Sequence, residues 1–386
     1  MQEWKTYTLK DLSKGKGEYG IGASAIPFDK DKLTYLRITD INDDGTLNKS
    51  GLTSVDAVDA SKYLLEKNDI VFARTGNSTG RSYFYDGSDG PLVYAGFLIR
   101  FRLDDSKVNP RILKYYSHSK PYYDWVQSFD TGGTRGNINA KTYGDMPITL
   151  PPRHVQDRIV DILYSLDAKI ENNRRINDNL EQQAQALYKS WFIDFEPFKD
   201  QGVVDSEIGL IPEGWHCTTL SEFLSIKYGK DHKKLSEGII PVYGSGGLMR
   251  YVDTKLHEGE AVLIPRKGSL NNVLYVNEAF WTVDTMFYSI PKQEDSCIYT
   301  YLFLANKDLA SMNAGSAVPS MTTDILNNMP ITEPPAEVLK QFNNICDVYF
   351  SRINQNNIEN ANLSNQRDTL LPKLMSGELT INEIDC

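Results

Sequence analysis

Met146-Pro147-Ile148, followed by Pro151-Pro152, opens a long heptad-patterned stretch, and the same phrase returns as Met329-Pro330-Ile331 with Pro334-Pro335 ahead of a second one. The offset is constant at 183, from 146 to 329 and from 151 to 334. Carried into the stretches that follow, it maps Ile159, Leu163, Leu166, Ile170, Asn173, Asn177, Leu180, Ala184 and Leu187 onto Phe342, Cys346, Tyr349, Ile353, Asn356, Asn360, Leu363, Arg367 and Leu370. Steps of four and three alternate throughout, so each stretch is a helix that shows one seam to a partner. Asn173, Asn177, Asn356 and Asn360 all fall inside that seam. Asparagine there costs stability but fixes register, so the shared pairs imply two helices that pack on each other. A repeat of this length sets the architecture before any single motif is weighed. It predicts a pseudo-twofold molecule.

Working outward, the 386 residues allow two or three domains, and 40% hydrophobic with 11% aromatic content suffices for real cores. No apolar run approaches the ~20 residues of a membrane span, and the start, Met1-Gln2-Glu3-Trp4-Lys5, lacks the apolar stretch expected of a signal peptide. A cytoplasmic location is expected. Cys217, Cys297, Cys346 and Cys386 are scattered, without a CxxC pair, as suits reduced thiols rather than disulfides or a metal site.

The order along the chain reads globular (1–150), helix and aromatic linker (151–200), globular (201–333), helix and tail (334–386). In the first globular segment, strand-like runs such as Leu33–Ile38, Asp69–Ala73 and Leu92–Phe101 alternate with Gly, Asn and Asp turns, and Pro110 starts a helix over Arg111–Ser119. The helix from about Val155 to Ser190 spans ~54 Å at 1.5 Å per residue. The second globular segment opens with Ile211-Pro212-Glu213-Gly214-Trp215, and its Trp215…Thr219-Leu220 repeats Trp4…Thr8-Leu9 at an offset of 211. Strands are expected at Ile239–Tyr243, Ala261–Pro265, Val273–Val276 and Phe280–Ile290, and a helix at Ile298–Ala310. The fold class is therefore α+β: two α/β domains alternating with two long helices that pair as an antiparallel coiled coil.

Catalytic and nucleotide motifs are missing. Pro151-Pro152 and Pro334-Pro335 are followed by Arg153 and Ala336, not by the aromatic residue of an adenine methyltransferase motif. Gly15-Lys16-Gly17-Glu18-Tyr19-Gly20 fits GxGxxG but neither follows a strand nor opens a helix. Gly244-Ser245-Gly246-Gly247 lacks the Gly-Lys-Ser/Thr of a phosphate loop and reads as a tight turn. The five histidines show no metal-binding spacing.

Net charge is −10, yet it is unevenly spread: residues 1–150 carry 20 basic against 19 acidic groups, while 201–333 carry 10 against 16. Any nucleic-acid contact must therefore use local clusters. Lys14 and Lys16 follow the first Trp–Leu motif; Lys227, Lys230, Lys233 and Lys234 follow the second, with Tyr228 and His232 interleaved. Arg74 before Gly76 matches Arg266 before Gly268 at an offset of 192, with Lys267 adjoining. Arg135 lies in a glycine-rich stretch beside Asn137. Lysine neutralises phosphates and arginine reaches guanine edges, although each could equally be a solvated loop residue or a brace at a strand end. Tyr83, Tyr85, Tyr122, Tyr123 and Trp125 are expected in the core.

Taken in order, several elements resemble the specificity subunit of type I restriction–modification enzymes. They are Trp215…Thr219-Leu220, Pro241-Val242-Tyr243-Gly244-Ser245-Gly246-Gly247, Arg266-Lys267-Gly268, Val283-Asp284-Thr285, Met146-Pro147-Ile148…Pro151-Pro152 and the closing Leu371-Pro372-Lys373-Leu374-Met375-Ser376-Gly377. The first half departs from the pattern: it lacks Pro-Glu-Gly before Trp4 and the Val-Asp-Thr element, and Arg367 replaces an apolar seam residue. The resemblance implies a non-catalytic subunit with two target-recognition domains, each reading half of a bipartite DNA target. It also implies two methyltransferase subunits and restriction subunits as partners, with S-adenosylmethionine, ATP and Mg2+ held by those partners and no cofactor or metal in this chain. Two other readings use the same features: a coiled-coil adaptor that binds protein alone, and the recognition subunit of a related bifunctional type II restriction enzyme. A fused methyltransferase is disfavoured by the missing motif.

If the paired helices set the separation of two half-sites, four helical residues inserted after Asn177 add ~6 Å, near two base-pair steps of ~3.4 Å. A coiled coil absorbs such a stutter by local unwinding. The methylome of cells carrying the insertion is expected to show a changed spacer between unchanged half-site sequences. Altered half-site bases, or activity with the original spacer, would count against the helices as the ruler.

Overall fold

The computed structural model describes residues 4–129, 136–313, 315 and 319–379. The chain divides into two compact units, one from residues up to Glu171 together with those from Asn360 onward, the other from Asn172–Glu359. The long helices run Arg153–Phe192 and Ala336–Ser376, so each unit takes a globular lobe and one end of both helices.

In the first unit, Lys5–Thr8 pairs antiparallel with Pro147–Leu150, and the ribbon ties together the two ends of the lobe. Between them lie two four-stranded sheets. One orders Glu18–Tyr19, Leu98–Arg102, Asp69–Ala73 and Ser82–Tyr85; the other orders Ala25–Pro27, Thr53–Val55, Leu33–Leu36 and Leu92–Tyr94. The apolar run expected as one strand over Leu92–Phe101 is therefore two strands in different sheets, with Gly96 at the break. Short helices Pro110–Tyr116, Lys120–Gln127 and Ala140–Gly144 complete the lobe.

The second unit repeats the plan with shorter connections. Its ribbon pairs His216–Thr219 with Pro330–Glu333, and Lys5↔Leu150 becomes His216↔Glu333. The two sequence offsets, 211 and 183, thus meet across one pair of strands. A single six-stranded sheet orders Leu224–Tyr228, Met286–Pro291, His257–Pro265, Leu274–Thr282, Ile240–Gly244 and Gly247–Val252. Gly244-Ser245-Gly246-Gly247 is the hairpin turn that its composition implied. The run over Phe280–Ile290 splits at Val283–Thr285, and the helix expected over Ile298–Ala310 is Cys297–Ala305.

The helical seam is part of each lobe's core rather than a free-standing coiled coil. In the first unit Val155, Ile159, Leu163, Leu371 and Leu374 join one cluster with Leu9, Met146 and Ile148. In the second, Ala184, Tyr188, Phe342 and Cys346 join Trp215, Leu220 and Ile331. The helix ends are used alike. Trp215 packs against Phe192, Phe195 and Phe198 where the first helix stops. Trp4 lies against Gly377, whose φ of +75° ends the second helix. Burial pushes the Cys297 thiol well up and that of Cys346 to about 12, so both behave as small apolar residues.

The seam asparagines bond across the second unit's helices. Asn173 donates to Glu359 at 2.7 Å, Asn177 to Asn357 at 2.9 Å, and Asn356 to the Asn177 carbonyl at 2.7 Å. Asn173 and Asn356 are fully buried, and Asn360 is half-buried. In the first unit the departure at Arg367 has its own explanation. Its guanidinium meets Asp167 at 3.0 Å, and Asp167 also accepts from Lys114 at 2.7 Å and the Tyr115 hydroxyl at 3.1 Å. Burial pushes this carboxyl up, but the two cations outweigh it and hold it below the usual range. His118 lines the same cavity of about 320 Å³. Burial, with Lys114 and Arg367 adding to it against Asp44, brings its pKa down to about 4.

Asn356→Leu strands the Asn177 carbonyl and is expected to cost about 1–3 kcal/mol; Asn177→Leu with Asn356→Leu should cost less than the two singles added, because the polar pair leaves together. Urea melts of the four proteins close the cycle, and simple additivity would refute the pairing. Acid gives a second test. A neutral His118 contributes stability that is full above its unfolded pKa of ~6.5 and is lost as pH falls toward about 4. Melting temperatures of His118→Gln should fall less steeply across that window than those of the parent; equal slopes would exclude His118.

Candidate nucleic-acid interface

The charged residues singled out in the sequence are set by the central sheet of each unit. In the second unit the strand Leu224–Tyr228 runs antiparallel to Met286–Pro291, and Tyr228 faces Phe287. The chain then turns through Gly229, whose N–H donates to the Met286 carbonyl at 3.0 Å. A β-carbon there would collide with the Val283 carbonyl oxygen, so the close passage requires glycine. Lys230 is pinned twice: its N–H donates to the Thr282 carbonyl at 2.9 Å and its own carbonyl accepts from the Trp281 indole at 2.9 Å. Asp231 accepts from the Lys233 N–H at 3.0 Å, shaping the loop that carries Lys233 and Lys234. Backbone is held while these lysine side chains remain exposed.

Arg266 follows the strand His257–Pro265. Its N–H donates to the Thr285 carbonyl at 2.9 Å, and its guanidinium donates to the Asp284 carbonyl at 3.1 Å. The same guanidinium lies over Tyr228, 5.5 Å from the ring centroid, within the range of a cation–π contact. Lys267 beside it is exposed.

In the first unit the strand Glu18–Tyr19 pairs with Leu98–Arg102, and Tyr19 faces Ile99. Gly20 donates its N–H to the Leu98 carbonyl at 3.2 Å, and a β-carbon on it would collide with the carbonyls of Tyr94 and Ala95. Gly15–Gly20, which fits GxGxxG as text, runs into this strand and serves no phosphate-binding helix. Arg74 ends the strand Asp69–Ala73, lies 5.0 Å from the Tyr19 ring centroid, and donates through Nε to Asn137 at 3.4 Å. Lys14 and Lys16 are exposed, Lys14 facing Asp105 at 3.9 Å. A cavity of about 670 Å³ beside them is lined by Lys16, Tyr19, Asn139 and Lys141. Arg135 lies outside the described residues.

Pairing distinguishes Arg74 from the other described arginines of the first lobe. Arg37, Arg81, Arg100, Arg102 and Arg111 of the same lobe all meet carboxylates, but among the described residues Arg74 has no carboxylate within ion-pair distance. The same is true of Arg266, Lys16, Lys227, Lys230, Lys233, Lys234 and Lys267, although most of them sit in the most acidic segment of the chain. Lys14 meets Asp105, and Arg250, Lys292 and Lys307 of the second lobe also meet no carboxylate among the described residues, so position in the sheet, not pairing alone, singles out the arginines.

Register corrects one expectation. The lysines of the two halves are not equivalent: Lys14 and Lys16 precede the tyrosine strand, whereas Lys230, Lys233 and Lys234 follow it, and Glu18 stands where Lys227 does. The arginines are equivalent, because Ala73↔Leu98 corresponds to Pro265↔Met286. Sequence reasoning missed Tyr19 as a partner of Arg74. The available signal was the dipeptide Tyr-Gly in both halves, which no single offset aligns. Of the aromatics expected in the core, Tyr83, Tyr85 and Tyr122 are buried, Trp125 is half-buried and Tyr123 is exposed. Among the described residues no group of three or more His, Cys, Asp or Glu side chains could hold a metal ion, and no helix is long and apolar enough to cross a membrane.

Comparison with known proteins agrees with this duplication. Residues 1–182 and 212–363 match the sequence profile of the type I restriction modification DNA specificity domain. The chain is 24% identical to the HindI type I restriction enzyme specificity subunit of Haemophilus influenzae, over 98% of this chain and 100% of that protein. It is 26% identical to the MjaIX specificity subunit of Methanocaldococcus jannaschii, over 70% and 69%. Among solved structures, the S subunit of a type I restriction–modification system from M. genitalium shares the fold, with a TM-score of 0.56 and 19% identity over 97% of this chain and 96% of that one.

Proposed function

Because the chain belongs to the type I restriction–modification DNA specificity family, we propose that it is the subunit that reads DNA and itself performs no chemistry. Each lobe takes one half of a bipartite target through Arg74, Lys14 and Lys16 in the first unit and Arg266, Lys227, Lys230, Lys233, Lys234 and Lys267 in the second. Arg135 joins the first set by its position in sequence. The observation that carries this reading is the pair of arginines, Arg74 and Arg266, that leave equivalent sheet positions in the two units, each over a tyrosine ring and without a carboxylate partner among the described residues, in a chain of net charge −10.

Phosphate contacts by lysine give affinity without sequence information, while arginine at a base edge gives discrimination. The chemistry then belongs to partners: two methyltransferase subunits that use S-adenosylmethionine on adenine N6, and restriction subunits that use ATP and Mg2+. The target adenine has to leave the base stack to reach a methyltransferase pocket, so the reading subunit works by placing that pocket over the right base pair. The helix seam, with Asn173, Asn177, Asn356 and Asn360, keeps the register of the two helices, and the assembly acts in the cytoplasm.

The lysine loop provides the test. Substituting Lys230, Lys233 and Lys234 together by alanine is expected to weaken binding of the assembled methyltransferase to every duplex alike. The slope of log K against log salt should flatten by up to about 0.9 for each phosphate that is no longer neutralised. Fluorescence anisotropy across a salt series, on target and scrambled duplexes, measures both. Unchanged affinity and slope would remove the loop from the DNA face, and wild-type protein that binds no duplex at all would favour the adaptor reading instead.

A further inference from the structure

We infer that Tyr19–Arg74 and Tyr228–Arg266 are two copies of one base-reading head, in which the tyrosine ring positions the guanidinium for the O6/N7 edge of a guanine, one guanine in each half-site. The inference rests on the DNA-reading function proposed above and assigns its discriminating contact.

Three observations converge on it. The first is register. Tyr19 faces Ile99 and Tyr228 faces Phe287 on the neighbouring strand, while Ala73 faces Leu98 and Pro265 faces Met286 one residue earlier. Both arginines therefore leave the sheet from the same point, next to the same tyrosine. The second is the Tyr-Gly dipeptide. Gly20 and Gly229 each donate to the carbonyl of that equivalent residue, Leu98 or Met286, and each passes so close to backbone carbonyls that a side chain would not fit. The tyrosine is thereby held by its own backbone, and the residue remains 43% exposed in the first unit and 54% in the second. The third is the state of the guanidinium. Each makes one side-chain hydrogen bond, Arg74 through Nε to Asn137 and Arg266 to the Asp284 carbonyl, and meets no carboxylate among the described residues.

A guanidinium stacked on a ring and bonded on one side keeps a planar donor edge for another acceptor pair. Guanine O6 and N7 form such a pair in the major groove, and arginine is its usual bidentate partner. Arg100, by contrast, spends its charge internally on Glu18 and Asp69. A phosphate contact carries no sequence information and would weaken every duplex alike, which separates it from base reading in the experiment below.

The experiment uses the full chain assembled with its methyltransferase subunits. Its duplexes carry the sequence that the wild-type assembly methylates, with each guanine replaced in turn by 7-deazaguanine, which lacks the N7 acceptor. Wild type should lose about tenfold in affinity at one guanine of each half-site. Arg266→Lys should abolish that sensitivity at one half-site and leave the other intact, and Arg74→Lys should do the reverse. Tyr228→Phe should retain the wild-type response, since the ring remains, whereas Tyr228→Leu should lose most of it with salt slope unchanged. Thermal melts confirm that each variant is folded, and the two arginine variants test the head independently. Uniform weakening on all duplexes, 7-deazaguanine sensitivity that persists in both arginine variants, or a half-site without guanine would overturn the assignment. If wild type itself fails to prefer its methylated sequence over a scrambled duplex, the DNA-reading function fails, not merely the head.

Discussion

In each unit the lobe is closed by a two-stranded ribbon that would be marginal alone in water, and the helical seam packed against it is what makes that closure hold. Leu9, Ile148 and Leu150, in and beside the first ribbon, share one cluster with Ile159, Leu163, Leu371 and Leu374 from the helices. At about 1.5–3 kcal/mol for each fully buried aliphatic side chain, the helices supply stability that the short strands cannot. The sheet that carries the arginine and the tyrosine is built on the same core, through Phe72 and Phe101 in the first unit and Ile264 and Phe287 in the second. Geometry at the candidate interface is thus inherited from packing well away from it.

Because both units need helix from distant parts of the chain, each is completed by a segment that the other half of the sequence supplies. The first lobe begins at Trp4 and is finished by residues around Leu371–Gly377; the second begins near Trp215 and is finished by the aromatic stop of the first helix. In the second unit the segment that precedes the tryptophan also delivers Phe195 and Phe198 to it, whereas in the first the tryptophan meets the end of the other helix.

Electrostatics divides the same chain into two kinds of cation. Most arginines of the first lobe are consumed in ion pairs, and the seam itself carries one at Arg367, Asp167 and Lys114. Such a buried pair contributes less to stability than its geometry suggests, since desolvation opposes it, but removing one partner leaves a stranded charge. The lysines of the loop after Tyr228 are under no such constraint. The backbone of Lys230 is fixed by Thr282 and Trp281 while the loop's lysine side chains stay solvated, which suits contact with an anion whose release of counterions drives binding.

The sequence by itself determined the repeat and the heptad seam with its asparagines, because each is a periodic or locally spaced pattern that a chain writes directly. It misplaced what depends on neighbours distant in sequence. Leu92–Phe101 reads as one apolar run, yet the turn at Gly96 sends its halves into different sheets. The lysine clusters look equivalent when counted from Trp–Leu, but they fall on opposite sides of the tyrosine strand. Only the tertiary structure decided that Arg74 stacks on Tyr19 and Arg266 on Tyr228. Loops of different length shift the two halves' numbering between elements, and the correspondence survives only in the hydrogen-bonded register of the sheet.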